Sequence, residues 1–498
     1  MKTTLLFALS MALVSSSTMV YTQEIEKTNI ILFFVDDMGW QDTSVPFYHE
    51  TTSLNQTYHT PHMEQMARDG MKFTQAYACA LCSPSRISLM TGMNAARHQV
   101  TNWTLRKDRS PDPKHKKITP PDWNMNGMSQ GGNIPRTIKA VTLPQLLRES
   151  GYRTIHVGKA HFGATGTPGE DPLNLGFDVN IAGHAAGGPG SYYGTNNFSA
   201  SWRKGDAIWD VPGLEKYHGK DIYLTEALTI EANREVDRAV RDDQPFYLYL
   251  SHYAIHAPWE KDDRYFQKYV DAGLSEFNSA YASMIEGMDK SLGDIVSNLK
   301  RHGIGDNTVI IFMSDNGQPS QAALNKPLRG HKLTPYEGGI RVPLMVYWPG
   351  VTEPGTTTGQ YVIIEDLFPT ILEIAASEHA NRITQVVDGI SFVPHLKGME
   401  NSKSERAIFW HFPHTYDQFP YSTVRKGDWK LIYRHLDSSL ELYNLHQDIS
   451  EENNLAKDEP QFKEELAAIL SDYLREVDAG MPCSNETQTP VPFPDEID

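Results

Sequence analysis

Residues 29–40 read NIILFFVDDMGW, and this stretch decides the fold class. Its apolar run at 30–35 predicts a buried strand, which Asp36, Asp37 and a glycine close. Helix and strand patterns then alternate over the first three quarters of the chain. This alternation predicts an α/β fold, with a large, mostly parallel sheet sandwiched by helices.

The chain has 498 residues, of which 40% are hydrophobic, enough for a large core and more than one compact unit. After about residue 385 the pattern changes to short strands separated by turn signals, and a helix follows. We therefore predict a large N-terminal domain at 24–385. A smaller C-terminal α+β subdomain with a short antiparallel sheet is predicted at 386–498.

The N-terminus combines one early lysine, an apolar run and a string of small residues. This pattern predicts a secretory signal peptide at 1–22, too short to span a membrane. We expect export to the periplasm or the medium, without a transmembrane anchor. The formal charge of −17 argues against nucleic-acid binding, and three cysteines do not make a disulfide scaffold.

Polar clusters follow three of the predicted strands, where open α/β sheets bind their ligands. They are Asp36-Asp37, the GKAH segment at 158–161, and Asp315-Asn316. Carboxylate and amide oxygens select hard cations, so a metal held by the aspartates and Asn316 would be Ca²⁺ or Mg²⁺ rather than Zn²⁺. The alternative is that these residues are solvated turns and helix caps.

Two further segments carry candidate catalytic groups. His252 and His256 follow the strand pattern PFYLYLS, and the Ala-Pro after His256 ends that strand and exposes what precedes it. A glycine-containing basic segment is either a solvated loop or an anion-binding loop; its cations are Arg329, His331, Lys332 and Arg341.

The segment CALCSPSR at 79–86 holds two of the three cysteines. Pro84 and the apolar run after it predict a helix start, which places Cys82 at the positive end of a helix dipole. Cys79 and Cys82 could be a C-x-x-C redox pair, Cys79 could pair with Cys483, or Cys82 could be a nucleophile.

The pattern C-x-P-S-R followed by T-G, at Cys82–Arg86 and 91–92, resembles the signature of the type I sulfatases of the alkaline phosphatase superfamily. Four further segments match family elements in the same order. They are NIILFFVDDMGW, GYRTIHVGKAHFG, SDNG and GHKLTPYEGGIRVP. The resemblance spans almost the whole mature chain and implies an alkaline phosphatase-like fold.

The resemblance also implies a modified nucleophile. A separate formylglycine-generating or sulfatase-maturating enzyme would convert Cys82 to formylglycine (3-oxoalanine), whose hydrate attacks sulfur. The implied metal is Ca²⁺, near the formylglycine oxygen. Its implied ligands are Asp36, Asp37, Asp315 and Asn316.

The other implied roles concern charge and proton transfer. Arg86 would stabilise and orient the hydrate, and Lys159 and Lys332 would contact sulfate oxygens. His161 would help to break down the sulfated intermediate. His256, which like the family histidine precedes x-Pro, would be the acid toward the leaving oxygen.

Long polar loops in a secreted enzyme favour a sulfated poly- or oligosaccharide as substrate. Candidate substrate-binding residues are His184 in a glycine-rich loop, and His411 and His414 in the C-terminal part; ordinary structural histidines are the alternative. The rival functions are a phosphate or phosphonate ester hydrolase of the same superfamily, a non-catalytic binder of sulfated glycans, and a redox protein. The sugar, its sulfated position, exo or endo action and the oligomeric state are left open.

Overall fold

The computed structural model describes residues 27–130, 133–322, 325–399 and 405–497. The strands in these ranges are β1 (Asn29–Val35), β2 (Met71–Tyr77), β3 (Ile118–Thr119), β4 (Arg153–Gly158), β5 (Val179–Ile181), β6 (Phe246–Ser251), β7 (Thr308–Ser314), β8 (Arg341–Tyr347), β9 (Thr356–Thr358), β10 (Val362–Ile363), β11 (Ala407–Phe412), β12 (Tyr421–Lys426), β13 (Trp429–Arg434), β14 (Ser439–Asn444) and β15 (Cys483–Ser484). The α-helices are α1 (Ser53–Thr57), α2 (Pro61–Asp69), α3 (Cys82–Thr91), α4 (Ala95–His98), α5 (Leu143–Glu149), α6 (Leu224–Arg241), α7 (Phe266–Asp271), α8 (Glu276–His302), α9 (Glu337–Ile340), α10 (Leu367–Ile374), α11 (Val393–Leu396) and α12 (Pro460–Glu476).

A nine-stranded sheet forms the centre of the molecule, in the order β10-β2-β8-β7-β1-β6-β4-β5, with β9 paired to β2. Every strand runs in the same direction except β8, which is antiparallel to both β7 and β2. The mostly parallel sheet expected from the sequence is therefore confirmed. The reversed β8 lets the loop that precedes it return to the edge where β1 and β7 end.

The register of the sheet makes the central strands end level with one another. Val35 pairs with Ser314, Phe34 with Ser251, and Ser251 with Gly158. Asp315 also donates its backbone N–H to the carbonyl of Val35 at 3.1 Å. The residues that follow these four strands therefore emerge at one edge of the sheet, as parallel strands require.

Strand β1 is buried on both faces, which explains its continuous apolar run. Its alternate residues Ile30, Leu32 and Phe34 face one apolar cluster, to which α3, α5 and α10 contribute. The intervening residues at 31, 33 and 35 face a second cluster, built with α2, α6 and α8. Helices therefore cover both faces of the sheet, as predicted.

Strands β11 to β14 form the predicted C-terminal antiparallel sheet. Val424, Leu431 and Leu442 on this sheet pack with Leu466 and Leu470 of α12. The indole of Trp410 in β11 donates to the carbonyl of Ala78 at 2.9 Å, so the small sheet contacts the segment that leads into α3. The domain boundary at 385/386 stays a prediction.

The predicted signal peptide at 1–22 lies outside the described residues. None of the helices that the structure describes has the length and apolar character needed to cross a bilayer.

Candidate active site

The loops after β1 and β7 bring Asp36, Asp37 and Asp315 together. Asp37 adopts a left-handed backbone conformation with a φ of 62°, which turns the chain sharply after Asp36. Its backbone N–H donates to Oδ1 of Asp315 at 3.2 Å. Ligand atoms of Asp36, Asp315 and Cys82 lie within 4.8 Å of one another, and all three residues are buried. Residues separated by more than 200 positions thus form one cluster.

Cys82 lies at the first position of α3, as the sequence predicted. The hydroxyl of Ser85 donates to the carbonyl of Asp315 at 2.5 Å and accepts the backbone N–H of Cys79 at 2.9 Å. These two bonds hold the start of α3 beside the loop that bears Asp315. Cys82 is only 3% exposed. Burial raises the pKa of its thiol, so unmodified Cys82 is a poor nucleophile at neutral pH.

Two buried oxygens point to a cation. Oδ1 of Asp36 and Oδ1 of Asn316 are shielded from solvent and have no hydrogen-bond partner among the described residues. The amide nitrogen of Asn316 donates to Oδ1 of Asp37 at 2.8 Å, which leaves the amide oxygen to face a ligand. Buried oxygens of this kind cost free energy unless a partner satisfies them. An oxygen-rich donor set therefore fits a hard cation such as Ca²⁺.

A lysine contacts each of the two adjacent carboxylates. Nζ of Lys159 lies 2.5 Å from Oδ2 of Asp36, and Nζ of Lys332 lies 2.5 Å from Oδ1 of Asp37. Although burial alone would raise it, Lys332 holds the pKa of Asp37 below its ordinary value. Burial, together with Asp315, raises the pKa of Asp36. The two ammonium groups thus provide positive charge at the base of the site.

Arg86 is fully buried and fastens three elements together. Its Nε and Nη2 donate to Oδ2 of Asp315 at 3.0 and 2.7 Å. Its Nη1 donates to the hydroxyl of Ser251 at 2.6 Å and to the carbonyl of Lys159 at 3.1 Å. Arg86 therefore fixes the orientation of a candidate metal ligand. Ser251, the last residue of β6, was not identified from the sequence.

His161 also has a left-handed backbone, with a φ of 57°, and its N–H donates to the carbonyl of His184 at 3.1 Å. Its Nε2 lies 2.7 Å from the carbonyl of Thr104, so Nε2 carries the proton of the neutral ring. Burial lowers the pKa of His161, and Nδ1 has no partner among the described residues. The ring therefore presents an unprotonated nitrogen. Thr104, too, was not identified from the sequence.

His256 is the one of the two strand-end histidines that faces the cluster. Its Nε2 lies 3.9 Å from Oδ2 of Asp37, its Nδ1 lies 2.9 Å from the carbonyl of Ala257, and the side chain is 23% exposed. Burial, then Lys332, lowers its pKa to about 3. His252 instead packs against Phe33, and its Nε2 contacts the hydroxyl of Ser291 at 2.9 Å.

The three candidate substrate histidines occupy different surroundings. Nδ1 and Nε2 of His411 contact the hydroxyl of Ser422 at 2.8 Å and the carbonyl of Gly480 at 3.0 Å. His414 is held by Asp112 at 2.8 Å and Thr101 at 2.7 Å. Both rings therefore have protein partners at each nitrogen. In His184, burial lowers the pKa to about 4, and Nε2 is unpartnered among the described residues.

Of the basic segment, only Lys332 is bonded to the Asp cluster. Arg329 donates to the hydroxyl of Tyr443 at 3.1 Å and to the carbonyl of Glu451 at 2.8 Å. Arg341 donates to the carbonyl of Thr74 at 2.7 Å. Nδ1 of His331 lies 2.9 Å from the carbonyl of Lys332. Arg329 and Arg341 thus hold the loop, and Lys332 provides its charge.

The three cysteines are unpaired in this structure. Cys79 is buried, and burial raises the pKa of its thiol. A disulfide between Cys79 and either Cys82 or Cys483 is therefore absent here, and the redox alternative gains no support.

A family model described as "Sulfatase" matches residues 28–377, and one described as "N-sulphoglucosamine sulphohydrolase, C-terminal" matches residues 331–479. A "Sulfatase" of Formosa agariphila is 29% identical to this chain, over 94% of the chain and 92% of the relative. The "N-acetylgalactosamine-6-sulfatase" of Canis lupus familiaris is 31% identical over 77% of the chain and 68% of the relative.

Among solved structures, Ps i-CgsB in complex with k-i-k-neocarrahexaose superimposes with a TM-score of 0.73 and 27% identity, covering 90% of this chain and 93% of that one. The PsFucS1 sulfatase from Pseudoalteromonas sp. superimposes with a TM-score of 0.67 at 22% identity, covering 90% and 89% of the two chains, which shows the common fold.

Proposed function

The chain belongs to the sulfatase family of sulfuric ester hydrolases, and from this premise we propose that its substrate is a sulfated carbohydrate. One similar structure contains a neocarrahexaose, and one relative is named for a sulfated amino sugar. The long loops around the site give the surface that a sugar needs. We also propose that the enzyme uses formylglycine made from Cys82 and a bound Ca²⁺.

The proposed modification would replace a buried thiol, which is a poor nucleophile for this reaction. Burial raises the pKa of Cys82, and a sulfated thiolate would have no easy route of release. Formylglycine would supply a hydrated aldehyde as a nucleophile that can release sulfate again. The helix start at Cys82, held by Ser85, gives this group a fixed direction toward the cluster.

The Ca²⁺ would be held by Asp36, Asp37, Asp315 and Asn316, with the oxygen of residue 82 nearby. Two of these ligands, Asp36 and Asn316, each have an Oδ1 without a partner among the described residues. Bound there, the ion would neutralise negative charge on a sulfate oxygen. The ion pair between Arg86 and Asp315 keeps one of these carboxylates in place.

Lys159 and Lys332 would bind the other sulfate oxygens. Both ammonium groups lie against the Asp pair, so an arriving anion would meet positive charge already in position. The buried setting strengthens this attraction because little water screens it.

Proton transfer would be divided between two histidines. Nε2 of His256 faces the cluster beside Asp37, and a bound sulfate ester anion would raise its pKa, so that the ring can protonate the leaving oxygen. Nδ1 of His161, which the bond to Thr104 leaves unprotonated, would accept the proton of the second hydroxyl of the hydrate; the C–O bond to the sulfo group would then break, and the aldehyde would form again as sulfate leaves.

We propose that His184 contacts the substrate through its unpartnered Nε2. His411 and His414 would not contact the substrate themselves; they would position the loop that follows β11. A separate enzyme would convert Cys82, and the working location would be the periplasm or the medium. The phosphoesterase alternative is weaker because the described residues contain one metal-type cluster, whereas phosphatases of this superfamily commonly bind two ions.

The observation that carries the proposal is the convergence of Cys82, two aspartates and two lysines at one sheet edge. The test compares steady-state kcat/KM for an aryl sulfate and its phosphate analogue, and then for defined monosaccharide sulfates. A higher value for the phosphate would contradict the assignment. Mass spectrometry of the peptide that contains residue 82 should show a loss of about 18 Da relative to cysteine; an unmodified thiol in fully active enzyme would refute the nucleophile.

A further inference from the structure

Trp202 is an exposed aromatic residue with a fixed orientation. It lies in the short 3-10 turn Ala200–Arg203 and is 49% exposed. Its Nε1–H donates to the carbonyl of Gly190 at 3.0 Å. The polar edge of the ring is therefore anchored to the protein, while much of the ring remains available to a ligand.

The guanidinium of Arg203 lies beside this ring, 6.0 Å from its centroid, and donates to the carbonyl of Pro189 at 3.4 Å. Among the residues that the structure describes, Arg203 forms no ion pair. The carboxylate of Glu260, which interacts electrostatically with Arg203, already accepts the hydroxyl of Ser191 and the N–H of Tyr192. The cation can therefore pair with an incoming anion.

The carbonyls that hold Trp202 and Arg203 belong to a segment packed directly on the catalytic histidines. A Cβ added at Gly187 would lie 2.4 Å from Cε1 of His161, and one at Gly188 would lie 2.7 Å from Nδ1 of His256. Gly188 and Gly190 are two residues apart, a span of at most about 7 Å. The indole is thus attached to the wall of the active site.

A second connection fixes the far side of this turn. Oδ1 of Asp210 accepts the backbone N–H of Ala200 at 2.7 Å, and Arg106 forms an ion pair with Asp206. Arg106 follows the segment whose Thr104 carbonyl holds His161. The turn that carries Trp202 is therefore tied to both sides of the site, as a recognition surface requires.

We propose that Trp202 and Arg203 form an outer subsite, which binds the sugar unit next to the one that carries the scissile sulfate. The apolar face of that sugar would stack on the indole, and its own sulfate or carboxylate group would pair with Arg203. This inference rests on the proposed carbohydrate sulfatase function. It makes the enzyme selective for oligosaccharides that carry more than one anionic group.

The test uses two exposed-residue variants, Trp202→Ala and Arg203→Gln, with Phe462→Ala on α12 as the matched control, since Phe462 is another exposed aromatic residue. Each is assayed on para-nitrophenyl sulfate, which has no neighbouring sugar unit to occupy the outer subsite, and on two hexasaccharides, a sulfated carrageenan and a sulfated glycosaminoglycan. Binding of both hexasaccharides is measured by calorimetry on the Cys82→Ala background.

We expect Trp202→Ala to lower kcat/KM about tenfold on the accepted hexasaccharide and to weaken its binding similarly, with a change of less than about twofold on the aryl sulfate. Arg203→Gln should lose affinity for the hexasaccharide and remove part of its salt dependence. Equal effects of Trp202→Ala and Phe462→Ala would overturn the subsite, as would a wild-type enzyme that hydrolyses the aryl sulfate but binds neither hexasaccharide. Loss of aryl sulfate hydrolysis in the wild type would instead refute the proposed function.

Discussion

Arg86 and Asp315 form a two-point contact in which Nε and Nη2 of the guanidinium share a single carboxylate oxygen, and neither side chain is exposed. The other oxygen of Asp315 accepts the N–H of Asp37. Arg86 thus orients Asp315 directly, and Asp37 through Asp315, so that it aligns two candidate metal ligands. A buried charge pair of this kind depends on its geometry as much as on its charge.

Arg86→Lys should therefore lower kcat/KM on an aryl sulfate by at least about a hundredfold, because an ammonium group cannot reproduce the planar fork. Arg97→Lys is the matched control: Arg97 also holds a carboxylate, that of Asp388, through Nε and Nη2, but away from the cluster. It should stay within about twofold of wild type. Near-wild-type turnover by Arg86→Lys would contradict the role of the guanidinium.

Removal of bound metal should lower both activity and thermal stability, because Asp36 and Asn316 would be left with buried, unsatisfied oxygens. Metal content is measured by mass spectrometry before and after incubation with EGTA, and Tm by calorimetry. Addition of Ca²⁺ should restore Tm and turnover, and Mg²⁺ should restore less. An ion-free protein with unchanged Tm and full activity would count against the site.

Glu365 provides a pH-dependent prediction away from the site. Burial, then Asp366, raises its pKa to about 8, and its Oε2 has no partner among the described residues. Because the folded pKa exceeds that of the unfolded chain, the folded state holds a proton that the unfolded state loses. Below about pH 4.5, Glu365 therefore does not lower the free energy of unfolding. As the pH rises from there to about 8, it lowers the free energy of unfolding progressively.

Glu365→Gln should accordingly remove that pH dependence. Its free energy of unfolding relative to wild type should rise by a few kcal/mol between pH 5 and pH 8.5, as measured by urea unfolding. The control Glu373→Gln, on the neighbouring helix α10, should follow the wild-type profile. Parallel curves for wild type and Glu365→Gln would show that the carboxyl is ionised in the folded protein.

Lys430 is a buried cation between two buried carboxylates, 2.9 Å from Oε1 of Glu337 and 2.8 Å from Oε1 of Glu451. Lys430→Met should cost about 3–5 kcal/mol of unfolding free energy, because buried Glu451 loses its cation and buried Glu337 retains Arg341 in place of two cations. Lys426 lies on the same sheet, and Lys426→Met, which breaks an exposed pair with Glu465 of α12, should cost less than about 1 kcal/mol. Equal midpoints in urea for the two variants would contradict this difference.

The polar residues at the strand ends could be predicted from the sequence, because they follow directly after apolar runs that are typical of buried strands. The apolar runs before Asp36 and Asp315 identify buried strands, and parallel strands that start in register must end together. The choice of His256 over His252 followed from the family resemblance, since the family histidine also precedes x-Pro. The expectation that Ala-Pro ends the strand was wrong, because β6 already ends at Ser251. These features are encoded within a few residues of the group concerned.

The partners of the site residues could not be predicted, because they come from distant, chemically ordinary positions. Ser251 and the carbonyl of Thr104 hold Arg86 and His161, yet serine and a backbone oxygen give no sequence signal. Likewise, Asp112 holds His414 from 302 positions away. Residue type indicates what a side chain can do, and only the fold determines what it contacts.

The burial of Cys82 also determines whether its proposed conversion could follow folding or would have to come first. All residues of α3 are buried, and the sulfur of Cys82 lies within 4.8 Å of carboxylate oxygens of Asp36 and Asp315. A maturation enzyme large enough to enclose a peptide would not reach that sulfur in the folded protein. The proposed conversion of Cys82 would then precede folding, and the rate of folding would limit the fraction of molecules that become active.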